Sequence, residues 1–74
     1  MKYTVIEIQN GIVGANVWTY DTINAAENKY HSILAAAAIS SVEVHAAALL
    51  NESGFCVKHE AYNHPVEPVE IGEE

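Results

Sequence analysis

The sequence predicts an α+β domain of order ββαββ, a four-stranded, mainly antiparallel sheet with one helix on one face. Three features lead there. Residues 2–9 alternate as a half-buried strand does, and Asn10-Gly11 follows them as a hairpin turn. Residues 22–40 then repeat their apolar side chains every three to four positions, as an amphipathic helix does.

In the first strand Thr4, Ile6 and Ile8 share one face, and Tyr3, Val5, Glu7 and Gln9 share the other. Asn-Gly suits a type I′ turn because both central residues need positive φ. The second strand is expected over residues 12–20. A two-residue loop sets Ile8 opposite Val13, Ile6 opposite Ala15 and Thr4 opposite Val17, a face expected to lie in the core. The opposite face sets Tyr3 across from Trp18 and Val5 across from Asn16, with Tyr20 beyond.

Asp21 is the expected helix N-cap, an acceptor and a negative charge at the positive end of the dipole. The helical stripe is Ile23, Ala26, Tyr30, Ile33, Leu34 and Ala37, and the alanines at 35–38 let a helix approach a sheet closely. A third strand is expected over 42–50, a four-residue turn over 51–54 and a fourth strand over 55–62, with Leu50 opposite Phe55. Val42, Val44, Ala46, Ala48 and Leu50 form one face of that hairpin. Glu43, His45, Ala47 and Leu49 form the other, beside Cys56, Lys58, Glu60 and Tyr62. Strand order is left open by the pattern, and the connection through the helix is right-handed if the strands it joins are parallel.

The chain has 74 residues and a net charge of −7, which leaves room for one domain. Residues 65–74 hold both prolines and four of the ten acids, a composition expected to be a disordered acidic tail. The folded part, residues 1–64, keeps six acids against three lysines, a net of −3. A domain this short buries only about 60% of its unfolded surface. A single cysteine excludes an internal disulfide framework, so self-association is the expected source of extra stability. The three cations are Lys2, Lys29 and Lys58, with no arginine, which argues against a duplex nucleic-acid binder. Polar residues interrupt the N-terminal apolar run that a signal peptide would need and no apolar run spans a bilayer, so a cytoplasmic protein without membrane contact is expected.

The aromatic face is the expected working surface. Left uncovered by the helix, it would present Tyr3, Val5, Trp18, Tyr20, His45, Leu49 and Tyr62 to a second copy of the chain or to a ligand. Lys29, His31 and Lys58 are the donors that would join Tyr3, Trp18, Tyr20, His45 and Tyr62 if that ligand were anionic. The blander reading makes Tyr30 a core residue with Lys29 and His31 beside it in solvent.

Other chemistry is weak in this chain. Cys56, His59 and His64 are the nearest approach to a metal set, but strand alternation points Cys56 and His59 to opposite faces, so no metal site is expected. Cys56 lacks an activating neighbour, and Glu43 and Glu60 read as two solvated acids rather than an acid/base pair. The glycines are isolated, so there is no phosphate-cradling loop. No catalytic residue and no cofactor are expected, and the chain reads as a non-enzyme.

The opening MKYTVIEIQ, the Thr19-Tyr20-Asp21 triplet and the segment KYHSILAAAAISSVEVHAAALL at 29–50 resemble a family of small phage and prophage proteins of gut Firmicutes, over about residues 1–62. The resemblance supplies no functional residues. It implies a setting, an accessory protein acting in a bacterial host cell, where such proteins often counter host defence. Two functions then follow as expectations. One is a homo-oligomeric sponge that sequesters a nucleotide-derived immune signal, of cyclic nucleotide or ADP-ribose type, at a subunit interface. The alternative is an acidic protein–protein inhibitor of a defence component, or an accessory oligomer without ligand.

Overall fold

The computed structural model describes residues 1–64, so the acidic segment expected to be disordered lies outside the described residues. The elements are β1 (Tyr3–Gln9), β2 (Val17–Tyr20), α1 (Ile23–Ala38), β3 (Val44–Leu50) and β4 (Cys56–Asn63). They form one antiparallel sheet of order β2-β1-β3-β4, with α1 on one face: the expected α+β, ββαββ architecture. Because β2 and β3 both run against β1, they are parallel to each other with β1 between them. The helix crosses over β1 to join them.

The Asn10-Gly11 turn forms as expected, with φ 53° and 82° and Gln9 bridged to Ile12. The register beyond it is not the expected one. A second turn at residues 13–16, where the Asn16 N–H donates to the Val13 carbonyl at 3.0 Å and Gly14 takes φ 58°, absorbs two residues. The ladder resumes with Val5 opposite Trp18 and Tyr3 opposite Tyr20, and β2 shortens to four residues. A shift of two preserves the alternation, so the same residues still share a face. Asn10 also ties this turn to β3. Its N–H donates to the Val44 carbonyl at 2.7 Å, and its Oδ1 accepts from the Val44 N–H at 3.0 Å.

In the second hairpin Asn51 organises the turn. Its Oδ1 accepts from the Ser53 and Phe55 N–H groups at 2.9 and 3.0 Å. Leu50 then pairs with Cys56, and a bulge moves the register so that Leu49 meets Lys58, Ala47 meets Glu60 and His45 meets Tyr62. The bulge corrects one expectation. Cys56 opposes Leu50 and His59 opposes Ala48, so both lie on one face rather than opposite ones.

The N-cap of α1 is Thr22, not Asp21. Thr22 is extended (φ −126°) and its Oγ1 accepts from the Ala25 N–H at 3.2 Å. Asp21 pairs instead with the Lys2 ammonium at 2.5 Å; hydrogen bond and charge together hold its carboxyl below the usual range. At the other end the Ala37 carbonyl accepts from the Ser40 N–H at 3.2 Å, and the His64 imidazole donates a second hydrogen bond to it from Nε2 at 2.8 Å.

The core lies on the face opposite to the one expected. Ala26, Tyr30, Ile33, Leu34 and Ala37 of α1 are buried against Val5, Ala47 and Leu49, with Tyr3, Trp18, Tyr20 and Tyr62 packed around them. The helix therefore covers the aromatic set and leaves Thr4, Ile6 and Ile8 uncovered. The reason is shape. A helix about 10 Å across rests on the two central strands, where Val5, Ala47 and Leu49 are compact and 0–1% exposed. Over the edge strands a gap opens on either side of it, and Trp18, Tyr20 and Tyr62 are long enough to fill that gap.

This assignment predicts unequal costs on the two faces of the sheet. Leu49→Ala is expected to lower the unfolding free energy by about 2–5 kcal/mol. Ile6→Ala, compared at a concentration where the chain is monomeric, is expected to cost less than half as much. Urea unfolding followed by Trp18 fluorescence measures both, and equal costs would contradict the assignment.

Candidate functional site

The residues expected to form an open aromatic surface are brought together, but around the helix. Tyr3, Trp18, Tyr20 and Tyr62 are half-buried walls of the core, and His45 is buried. Lys29 lays its ammonium 4.1 Å from the centre of the Trp18 ring, which both holds the indole and occupies its outer side. Lys58 reaches across to Glu27 of α1 at 2.9 Å. His31 stays exposed and meets the Tyr30 ring edge-on at 5.3 Å. Burial, and after it the Glu60 carboxylate, push the Tyr30 phenol up from its ordinary range. These groups stabilise the fold, and no cavity opens among the described residues for a base to stack in.

One polar cluster sits within that core. His45 Nε2 lies 2.6 Å from Glu7 Oε2, with side-chain exposures of 5% and 17%. Gln9, directly opposite His45 in the ladder, donates to the same Glu7 oxygen at 3.3 Å. A carboxylate accepts, so the short contact places a proton on His45 Nε2. Nδ1 is buried without a partner. An acid, an imidazole and an amide in sequence resemble a catalytic relay, but a relay needs a reacting group within reach of the free nitrogen. The cluster is better read as a buried pair that fixes the pairing of β1 with β3 next to the Asn10-Gly11 turn.

No group of three metal-binding side chains occurs among the described residues, even with Cys56 and His59 on one face. His64 is engaged with the helix end and stacks on Tyr62 at 6.3 Å. Glu43 and Glu60 are not neighbours: Glu60 opposes Ala47, about 13 Å along β3 from Glu43. No helix of the described residues is long and apolar enough to cross a membrane.

The surface that the fold does leave open is the other side of the sheet. Thr4, Ile6 and Ile8 of β1 lie beside Val44, Ala46, Ala48 and Leu50 of β3, flanked by Val17 and Thr19 of β2 and by Val57, His59 and Ala61 of β4. Val17 is 44% exposed and Val57 40% exposed. This surface contains no carboxylate or lysine from any of the four strands, which is unusual for a sheet face turned to water. Sequence reasoning missed it by assigning the right co-facial residues to the wrong side. The compact residues at Val5, Ala47 and Leu49, with aromatics on the strands that became the edges, were the available signal.

Comparison with protein-family models, with characterised proteins and with solved structures finds no match to this chain.

The Glu7–His45 pair makes its own prediction. His45→Leu leaves a largely buried carboxylate with only Gln9 beside it and is expected to cost about 3 kcal/mol. The double substitution Glu7→Leu/His45→Leu is expected to recover most of that loss, since apolar replacement of a buried pair is often neutral. Urea unfolding of the two singles and the double measures the coupling. A fully additive cycle would contradict the pairing.

Proposed function

We propose that this chain is a non-enzymatic, homo-oligomeric binding protein whose working surface is the uncovered face of the sheet. The observation that carries the reading is that continuous apolar face, from Val17 across Ile6, Ile8, Ala46, Ala48 and Leu50 to Val57, on a domain whose single helix is already committed to the other side. The occupant is a second copy of the chain, because a domain of residues 1–64 with a core of a few buried side chains gains most from burying its own exposed apolar surface.

In the phage setting that the resemblance implies, such an oligomer is an accessory protein acting against host defence. A nucleotide-derived signal would then be held between copies, because the aromatic residues of one copy are packed beneath its own helix. Protein contact without a small ligand fits the flat face more directly.

Ile8→Lys places a charge in the middle of this face and touches nothing beneath the helix. It is expected to keep the circular dichroism of the parent and to lose the face-to-face association, as measured by sedimentation equilibrium. Retention of that association would remove the reading. Isothermal titration with cyclic dinucleotides and cyclic ADP-ribose isomers distinguishes the two versions: heat with the parent but not with Ile8→Lys supports a site between copies.

A further inference from the structure

The uncovered face of one chain is small. Four strands about 4.8 Å apart and some six residues long present roughly 400 Å² of flat surface, whereas a stable interface takes about 800 Å² from each partner. A copy added along β4 would double that face.

β4 is an edge strand of eight residues, twice the length of β2 at the other edge, and it contains no proline. The direction of its free main-chain groups follows from the ladder. The His64 N–H donates to the Glu43 carbonyl at 2.6 Å, so by antiparallel alternation residues 58, 60 and 62 turn their N–H and C=O groups toward β3. Val57, His59 and Ala61 turn theirs outward, where a further strand can pair with them.

We infer that two copies of the chain join along β4, antiparallel, with the two-fold axis through His59. The register is chosen by three requirements. Main-chain pairing needs outward residues opposite outward residues, which excludes an axis falling between two residues. Overlap disfavours axes nearer the strand ends, since an axis at residue 57 or 61 pairs at most about five of the eight strand residues against about seven at residue 59. Charge selects among the central axes. An axis at residue 58 puts Lys58 against the partner's Lys58, and an axis at residue 60 puts Glu60 against the partner's Glu60, both repulsive. An axis at His59 puts Lys58 opposite the partner's Glu60 and Glu60 opposite the partner's Lys58. It also sets Val57 against the partner's Ala61 on the uncovered face and forms about six main-chain hydrogen bonds.

The helices do not obstruct this. Each rests over β1 and β3, so the two axes lie about 19 Å apart, twice the usual packing distance. The trough between them is where Glu27, Lys58 and Glu60 already lie. The product is a single eight-stranded sheet with both helices on one side and an uncovered face of about 800 Å² on the other. This extends the self-association reading with a second, distinct interface. Two such sheets closing face to face make a tetramer of two-fold symmetry.

The test uses the full chain and reads mass by sedimentation equilibrium, with circular dichroism reporting the fold. His59→Pro removes an N–H that points outward and is expected to fold normally while losing the edge interface. Lys58→Glu and Glu60→Lys are each expected to weaken that interface about tenfold, because the two-fold axis repeats every altered pair. The double substitution Lys58→Glu/Glu60→Lys is expected to return it to within about threefold of the parent, although the Lys58–Glu27 pair is still lost. Parental mass for His59→Pro and both charge reversals, with dissociation only by Ile8→Lys, overturns the edge interface and leaves the face intact. A dimer in Ile8→Lys that His59→Pro dissolves upholds the edge. A parent chain that stays monomeric at about 100 µM overturns both.

Discussion

A single helix can cover only one face of a four-stranded sheet, and the rest of this structure follows from which face it takes. The helix is narrower than the sheet, so it needs compact residues beneath it and long ones beside it. Val5, Ala47 and Leu49 meet the first need, and Trp18 and Tyr20 of β2 and Tyr62 of β4 meet the second. The small side chains of Ala26 and Ala37 let α1 sit close enough for Tyr30, Ile33 and Leu34 to reach the strands. Once that choice is made, Ile6, Ile8, Ala46, Ala48 and Leu50 have nothing over them.

The polar residues support the same arrangement. Asn10 ties the first turn to the start of β3, and Glu7, Gln9 and His45 join β1 to β3 beneath the helix. Lys58 to Glu27 and Lys29 over Trp18 hold the helix to the two edge strands. Such exposed and half-exposed contacts are individually weak. Their value lies in orientation, since they tie α1 to a strand on each side of it. With all three lysines engaged within the chain, an anionic ligand would have to displace a structural partner.

Much of the fold was legible. The Asn10-Gly11 turn, the helical stripe from Ala26 to Ala37 and the alternation of the strands all follow from local chemistry. The registers were less so. The two residues absorbed in the second turn before β2, and the bulge between Leu49 and Leu50, depend on where ladders close rather than on what each residue prefers. The site residues were grouped correctly and turned the wrong way: Tyr3, Trp18, Tyr20, His45 and Tyr62 do share a face, and it is the inner one.

Except at the β4 bulge, where Cys56 changes face, the sequence by itself determined which side chains travel together, because a strand has period two and a helix 3.6. Alternation is symmetric, however, and does not distinguish inside from outside when each face has apolar residues to bury. Only the tertiary structure decided that, by fitting one helix into the hollow between edge aromatics. It also decided the order β2-β1-β3-β4, which makes β4 an edge and turns Val57, His59 and Ala61 toward open space.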